Sequence, residues 1–140
     1  MLPVNISAFL EAFSRWARSQ PEIEAVALVG SYARDAAREG SDVDLVILTS
    51  RVDRYLRDHG WVSMFGKVTE CRREDYGRVT SVRAYYESGL EVEYGFSTPD
   101  WAAAPIDAGT WRVVSDGMKV LHDPQGIMAR VQQEIRSSGE

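Results

Sequence analysis

The stretch Val26-Ala27-Leu28-Val29-Gly30-Ser31-Tyr32-Ala33-Arg34-Asp35-Ala36-Ala37-Arg38-Glu39-Gly40-Ser41-Asp42-Val43-Asp44-Leu45-Val46-Ile47-Leu48 decides how this chain is read. It holds an apolar strand, a Gly30-Ser31 turn, a short helical stretch and a second strand that opens on Asp42 and Asp44. Alternate residues of a strand point to one face, so Asp42 and Asp44 aim two carboxylates the same way while Val43, Leu45 and Ile47 face the other. Acidic oxygens at that spacing suit Mg²⁺. Gly30 allows a tight turn and close backbone approach. Ser31 stands where a helix begins, so free N–H groups and the positive end of the helix dipole can meet a phosphate. The pieces together read as a site for a nucleoside triphosphate and a divalent metal.

Each piece alone has a plainer explanation. Gly-Ser after a strand is usually an ordinary turn, and Asp-x-Asp at a strand start is usually a solvated edge or a cap. Their combination carries more weight. Val43 and Leu45 through Leu48 are apolar on both faces, which marks a central strand of a covered sheet. Two like charges at its mouth cost stability unless a cation or a function compensates.

In this pattern, Val29-Gly30-Ser31, a spacer over 32–41 and then Asp42-Val43-Asp44-Leu45, the chain resembles the nucleotidyltransferase superfamily typified by DNA polymerase beta, especially its small bacterial members. The resemblance is strong over 24–49 and loose over 67–96. It implies an α+β nucleotidyltransferase fold, a mixed and mostly antiparallel sheet with helices packed on it. It also implies a third carboxylate on a neighbouring strand. In Leu90-Glu91-Val92-Glu93-Tyr94-Gly95-Phe96 the apolar residues alternate with Glu91, Glu93 and Gly95, so both glutamates share a face. The family pattern, an acid after an apolar-x-apolar run behind a Gly turn, favours Glu93 over Glu91, which reads better as a residue on the polar face. Many members carry Asp there, one methylene shorter. Small members also often have an Arg three residues after the Ser, which points to Arg34 as a phosphate contact. Arg38, four residues on, is a weaker candidate, and Asp35 stands where those members often have Gly.

The remaining chain reads as one domain over 1–140. Its 44% hydrophobic and 26% charged residues are those of an ordinary chain with a single core. Ile6, Phe9, Leu10, Phe13 and Trp16 lie at helical spacing after a possible Asn5 cap, giving a helix over 5–18. Residues 50–60 suggest another helix, with Ser50 and Asp53 at capping-box spacing and Gly60 as the stop. From 67 to 98, breaks at 75–77 and 87–89 separate runs rich in Val, Thr and Tyr, as in an antiparallel meander ended by Pro99. Residues 99–110 read as loop, 118–121 as a short strand and 127–135 as a final helix.

A net charge of −5 and the lack of a basic stripe argue against a large nucleic-acid footprint. No run approaches a membrane span and no signal peptide is visible. Cys71 is the one cysteine, so no internal disulfide is expected and a cytoplasmic location fits. His59, His122 and the four tryptophans read as structural, and Arg72-Arg73 as solvated.

The resemblance implies transfer of a nucleoside monophosphate, AMP from ATP, to a hydroxyl, with release of pyrophosphate. Asp42, Asp44 and Glu93 would hold two Mg²⁺, and Gly30, Ser31 and Arg34 would hold the nucleotide. The acceptor is open: a small hydroxylated molecule bound across a homodimer, or a helical partner protein in the manner of an antitoxin. A nucleotide-binding module with little or no turnover is the alternative class.

Overall fold

The computed structural model describes residues 5–38 and 40–138. Helix α1, Ile6–Arg18, begins where the sequence places it: the Asn5 side-chain oxygen accepts a hydrogen bond from the Ala8 N–H at 3.0 Å. That satisfies one of the first-turn amides a helix leaves unpaired. Strand β1, Ile23–Val29, runs into the one-turn helix α2, Gly30–Ala33, and β2 follows at Val43–Thr49. Next come α3, Val52–Arg57, and a 3-10 segment, Gly60–Phe65. The meander is β3, Val68–Tyr76, β4, Val79–Tyr86, and β5, Glu91–Ser97. A 3-10 turn at Pro99–Ala102, α4 at Ala108–Asp116, β6 at Lys119–His122 and α5 at Ile127–Ser138 complete the order.

The six strands form one sheet in the order β3-β4-β5-β2-β1-β6. Among the described residues only β2 and β5 run parallel; the other pairs are antiparallel. This is the mixed, mostly antiparallel sheet with packed helices that the sequence leads one to expect. The parallel pair matters for function, because it brings the acidic beginnings of β2 and β5 to the same end of the sheet.

Strand β2 is central and covered on both faces, as its apolar run requires. Val43, Leu45 and Ile47 join Phe9, Phe13 and Tyr94 on the face that carries α1, α3 and the Gly60–Phe65 segment. Val46 and Leu48 join Trp101, Val114 and Met128 on the opposite face. The buried Tyr94 hydroxyl pairs with Tyr86 at 2.8 Å, and Tyr86 also donates to the Val62 carbonyl at 2.8 Å. Two phenols therefore enter the core without an unpaired polar atom.

Two local expectations give way. No capping box forms over 50–53: Arg51 flanks α3, and the Arg51 N–H is held instead by the buried Thr49 hydroxyl at 3.0 Å, which itself donates to the Glu22 carbonyl. Gly60 opens the 3-10 segment, and α3 ends at Arg57. The stretch 99–110 is not all loop either. Asp107 caps α4 by accepting from the Gly109 N–H at 3.0 Å, and Thr110 is buried with its hydroxyl on the Trp101 carbonyl.

Candidate functional site

Asp44 is the second residue of β2 and pairs in register with Glu93 of β5. Asp42 lies just before β2, two residues from Asp44, so the strand alternation turns both acids to the same side. One carboxylate oxygen from each of Asp42, Asp44 and Glu93 lies within 4.8 Å of the others. All three side chains are half-buried. Asp44 Oδ1 is buried with no hydrogen-bond partner. Burial, the adjoining Glu93 and then Asp42 push the Asp44 carboxyl up to about 9, since none of these favours a third negative charge.

Gly30 is why the acids can come this close to the turn. Its φ is +74°, and a Cβ built there would sit 2.3 Å from Asp44 Oδ2. Any other residue would be both strained and in collision with the carboxylate. The all-oxygen donor set, the orphaned Asp44 oxygen and the space left by Gly30 fit a hard divalent cation.

A cleft of about 720 Å³ opens beside this site, lined among others by Gly30, Arg34, Asp44, Glu93, Trp101 and Thr110, while Asp42 is not among its lining residues. Of the residues the sequence marks for phosphate, Gly30 and Arg34 line the cleft. Ser31, half-buried beside Gly30, lies outside the lining. Helix α2 stops at Ala33, so Arg34 and Arg38 do not share a helical face, and Arg38 is not among the residues that line the cleft. Asp35 takes the left-handed conformation, φ 56°, at the position where Gly is often found, and its carboxylate pairs with Lys119 at 2.8 Å. Arg72 and Arg73 are exposed, as expected of solvated charges.

The residue the sequence reading passes over is Arg83 of β4. It pairs in register with Glu93, on the side of β5 opposite Asp44. Nη1 donates to Asp42 at 3.0 Å and to Glu91 at 2.5 Å, Nε donates to Glu74 at 2.8 Å, and Nη2 lies 3.2 Å from Glu93. Burial works against the guanidinium charge, but the bonds to Glu74, Asp42 and Glu91 outweigh it and raise the Arg83 pKa. Glu91 is therefore engaged with Arg83, while Glu93 stands between Arg83 and Asp44. A signal for this was present: with the β4–β5 turn centred on Ser88, Arg83 folds onto Glu93.

Arg78 and Tyr76, at the β3–β4 turn, also line the cleft. No helix among the described residues is long and apolar enough to cross a membrane.

Two solved structures share the fold. An aminoglycoside 6-adenyltransferase from Bacillus subtilis superposes with a TM-score of 0.58 at 17% identity over 71% of this chain, and the chain spans only 37% of that protein's length. A toxin-antitoxin structure with AMP-PNP gives a TM-score of 0.51 at 13% identity, covering 93% of this chain and 86% of that one. No curated protein matches the sequence. The nucleotidyltransferase domain family matches residues 6–94, from α1 to the strand that carries Glu93. With the greater part of the sequence and the whole acidic constellation inside that match, the chain belongs to the nucleotidyltransferase domain family.

Proposed function

We propose that this chain transfers a nucleoside monophosphate, AMP from ATP, to a hydroxyl acceptor and releases pyrophosphate. The convergence of Asp42, Asp44 and Glu93, with Asp44 and Glu93 lining the cleft, carries the reading. Asp42, Asp44 and Glu93 would hold Mg²⁺, which when bound screens phosphate charge and makes an acceptor hydroxyl more acidic. Gly30 leaves the turn bare so that triphosphate oxygens can approach the backbone, with Ser31 beside it, and Arg34 offers a positive charge from the wall. Glu93 orients the acceptor hydroxyl and takes its proton as the oxygen bonds to the α-phosphorus and the bond to pyrophosphate breaks.

The adenine preference draws support from the two neighbours, one named an adenyltransferase and one described with AMP-PNP. The second neighbour is a toxin-antitoxin structure, which supports a helical partner protein as what completes the cleft, in a cytoplasmic setting. A small hydroxylated molecule held across a homodimer is the second reading.

Incubation with α-labelled ATP and Mg²⁺, against small hydroxylated compounds and co-purifying proteins, tests the proposal. Label transfer with pyrophosphate release supports it. Metal-dependent ATP binding without transfer to any acceptor would make the chain a nucleotide-binding module instead.

A further inference from the structure

Two of the three carboxylates that would hold metal already share a cation. Arg83 lies 3.0 Å from Asp42 and 3.2 Å from Glu93. Glu74 and Glu91 hold the same guanidinium at 2.8 Å and 2.5 Å. Its side chain is only 16% exposed, so four acceptors and its surroundings fix it in place. An arginine stays charged across the working pH range.

Paired catalytic ions sit roughly 4 Å apart and share carboxylates. A second dication held by Asp42 and Glu93 would share those carboxylates with the guanidinium they already pair with, and a dication repels a unit positive charge about twice as strongly as another unit charge does. Asp44 differs from its neighbours. Its Oδ1 is buried and unpartnered, and it has no ion pair with Arg83 at the distances that join Arg83 to Asp42 and Glu93.

We propose that Arg83 takes the place of one of the two divalent cations the family leads one to expect, so that the chain holds a single ion at Asp44 while Arg83 positions Asp42 and Glu93. This rests on the metal site proposed above. It makes Arg83 a positioning residue whose charge sets how many ions the site takes.

Counting Mn²⁺ bound by the full chain without nucleotide, by calorimetric titration and electron paramagnetic resonance, tests it. Mn²⁺ shares the octahedral oxygen preference of Mg²⁺. The wild type should bind one tight ion. Arg83→Gln should bind two, with the spectrum of a spin-coupled pair, while Arg83→Lys, which keeps the charge, should stay at one. Two tight ions in the wild type would overturn the proposal and leave the metal site standing, a result that decides even if Arg83→Gln does not fold. One ion in both wild type and a folded Arg83→Gln would also overturn it. No tight ion in the wild type, or one that survives Asp44→Asn, would overturn the metal site itself.

Discussion

Asp44 and Glu93 face each other directly across the parallel pair of β2 and β5, and Arg83 flanks Glu93 on its other side. Glu91, two residues earlier, is displaced by ~7 Å along the strand and ends on Arg83 rather than in the triad. Position along one strand thus separates two chemically identical side chains.

Glu93→Gln should therefore leave ATP bound through the remaining acids yet lower turnover by about a hundredfold or more, a typical loss for a positioned acid–base group. Glu91→Gln, which loosens only one of the bonds on Arg83, should cost far less. Pyrophosphate release with an identified acceptor measures both. A reversal of the two effects would make Glu91 the catalytic carboxylate.

Gly30→Ala tests the contact between turn and acid. The left-handed φ costs a non-glycine residue about 1 kcal/mol, and the new methyl group must push Asp44 aside. A melting temperature lower by about 3–6 °C is expected for a loss of that size, together with loss of Mg²⁺-dependent ATP binding. Unchanged nucleotide affinity would show that the turn is not part of the site.

The motif over 26–48 was legible because its information is local: strand alternation, a glycine turn and an acid pair adjoin in sequence. Glu93 came from the resemblance, whose pattern expects an acid behind the Gly89 turn; the alternation over 90–96 alone leaves Glu91 and Glu93 equivalent. Arg83 needed one further step, since its meaning comes from pairing across a hairpin, and a lone arginine in a polar alternation looks solvated. Helix α4 was hidden for a different reason. It has only nine residues, its Asp107 cap follows a run of small residues and proline, and its burial depends on Trp101 rather than on a long apolar stripe. The parallel pairing of β2 with β5 is long-range and has no local signature at all.

Asp35 offers a test of local strain. Its left-handed φ is tolerated by Asp but is a true outlier for a β-branched residue. Asp35→Val should cost more than ~1 kcal/mol, read as a lower urea midpoint. Asp35→Gly should stay within about 0.5 kcal/mol of the wild type, because relief of strain offsets the freer unfolded chain and the exposed Lys119 pair contributes little. Equal losses in both variants would place the stability in the ion pair instead.

Asp44→Asn makes the strongest claim about the resting site. Burial beside Glu93 and Asp42 raises the folded-state Asp44 pKa to about 9, above the ordinary aspartate value it regains on unfolding. Between those values the metal-free folded chain holds a proton that the unfolded chain releases. The contribution of this group to stability is therefore complete at low pH and is lost as pH rises through about 9. An amide mimics the protonated acid at every pH. Without metal, the variant should melt above the wild type, with a gap that widens from about pH 5 upward and levels off beyond about 9. Mg²⁺ reverses the order: it should raise the wild-type melting temperature, since a ligand that binds only the folded state stabilises it, and leave the variant unmoved. Thermal melts across pH, with and without Mg²⁺, check both halves. A gap that does not change with pH would mean that Asp44 is ionised in the resting site, and a variant still stabilised by Mg²⁺ would remove Asp44 from the metal site.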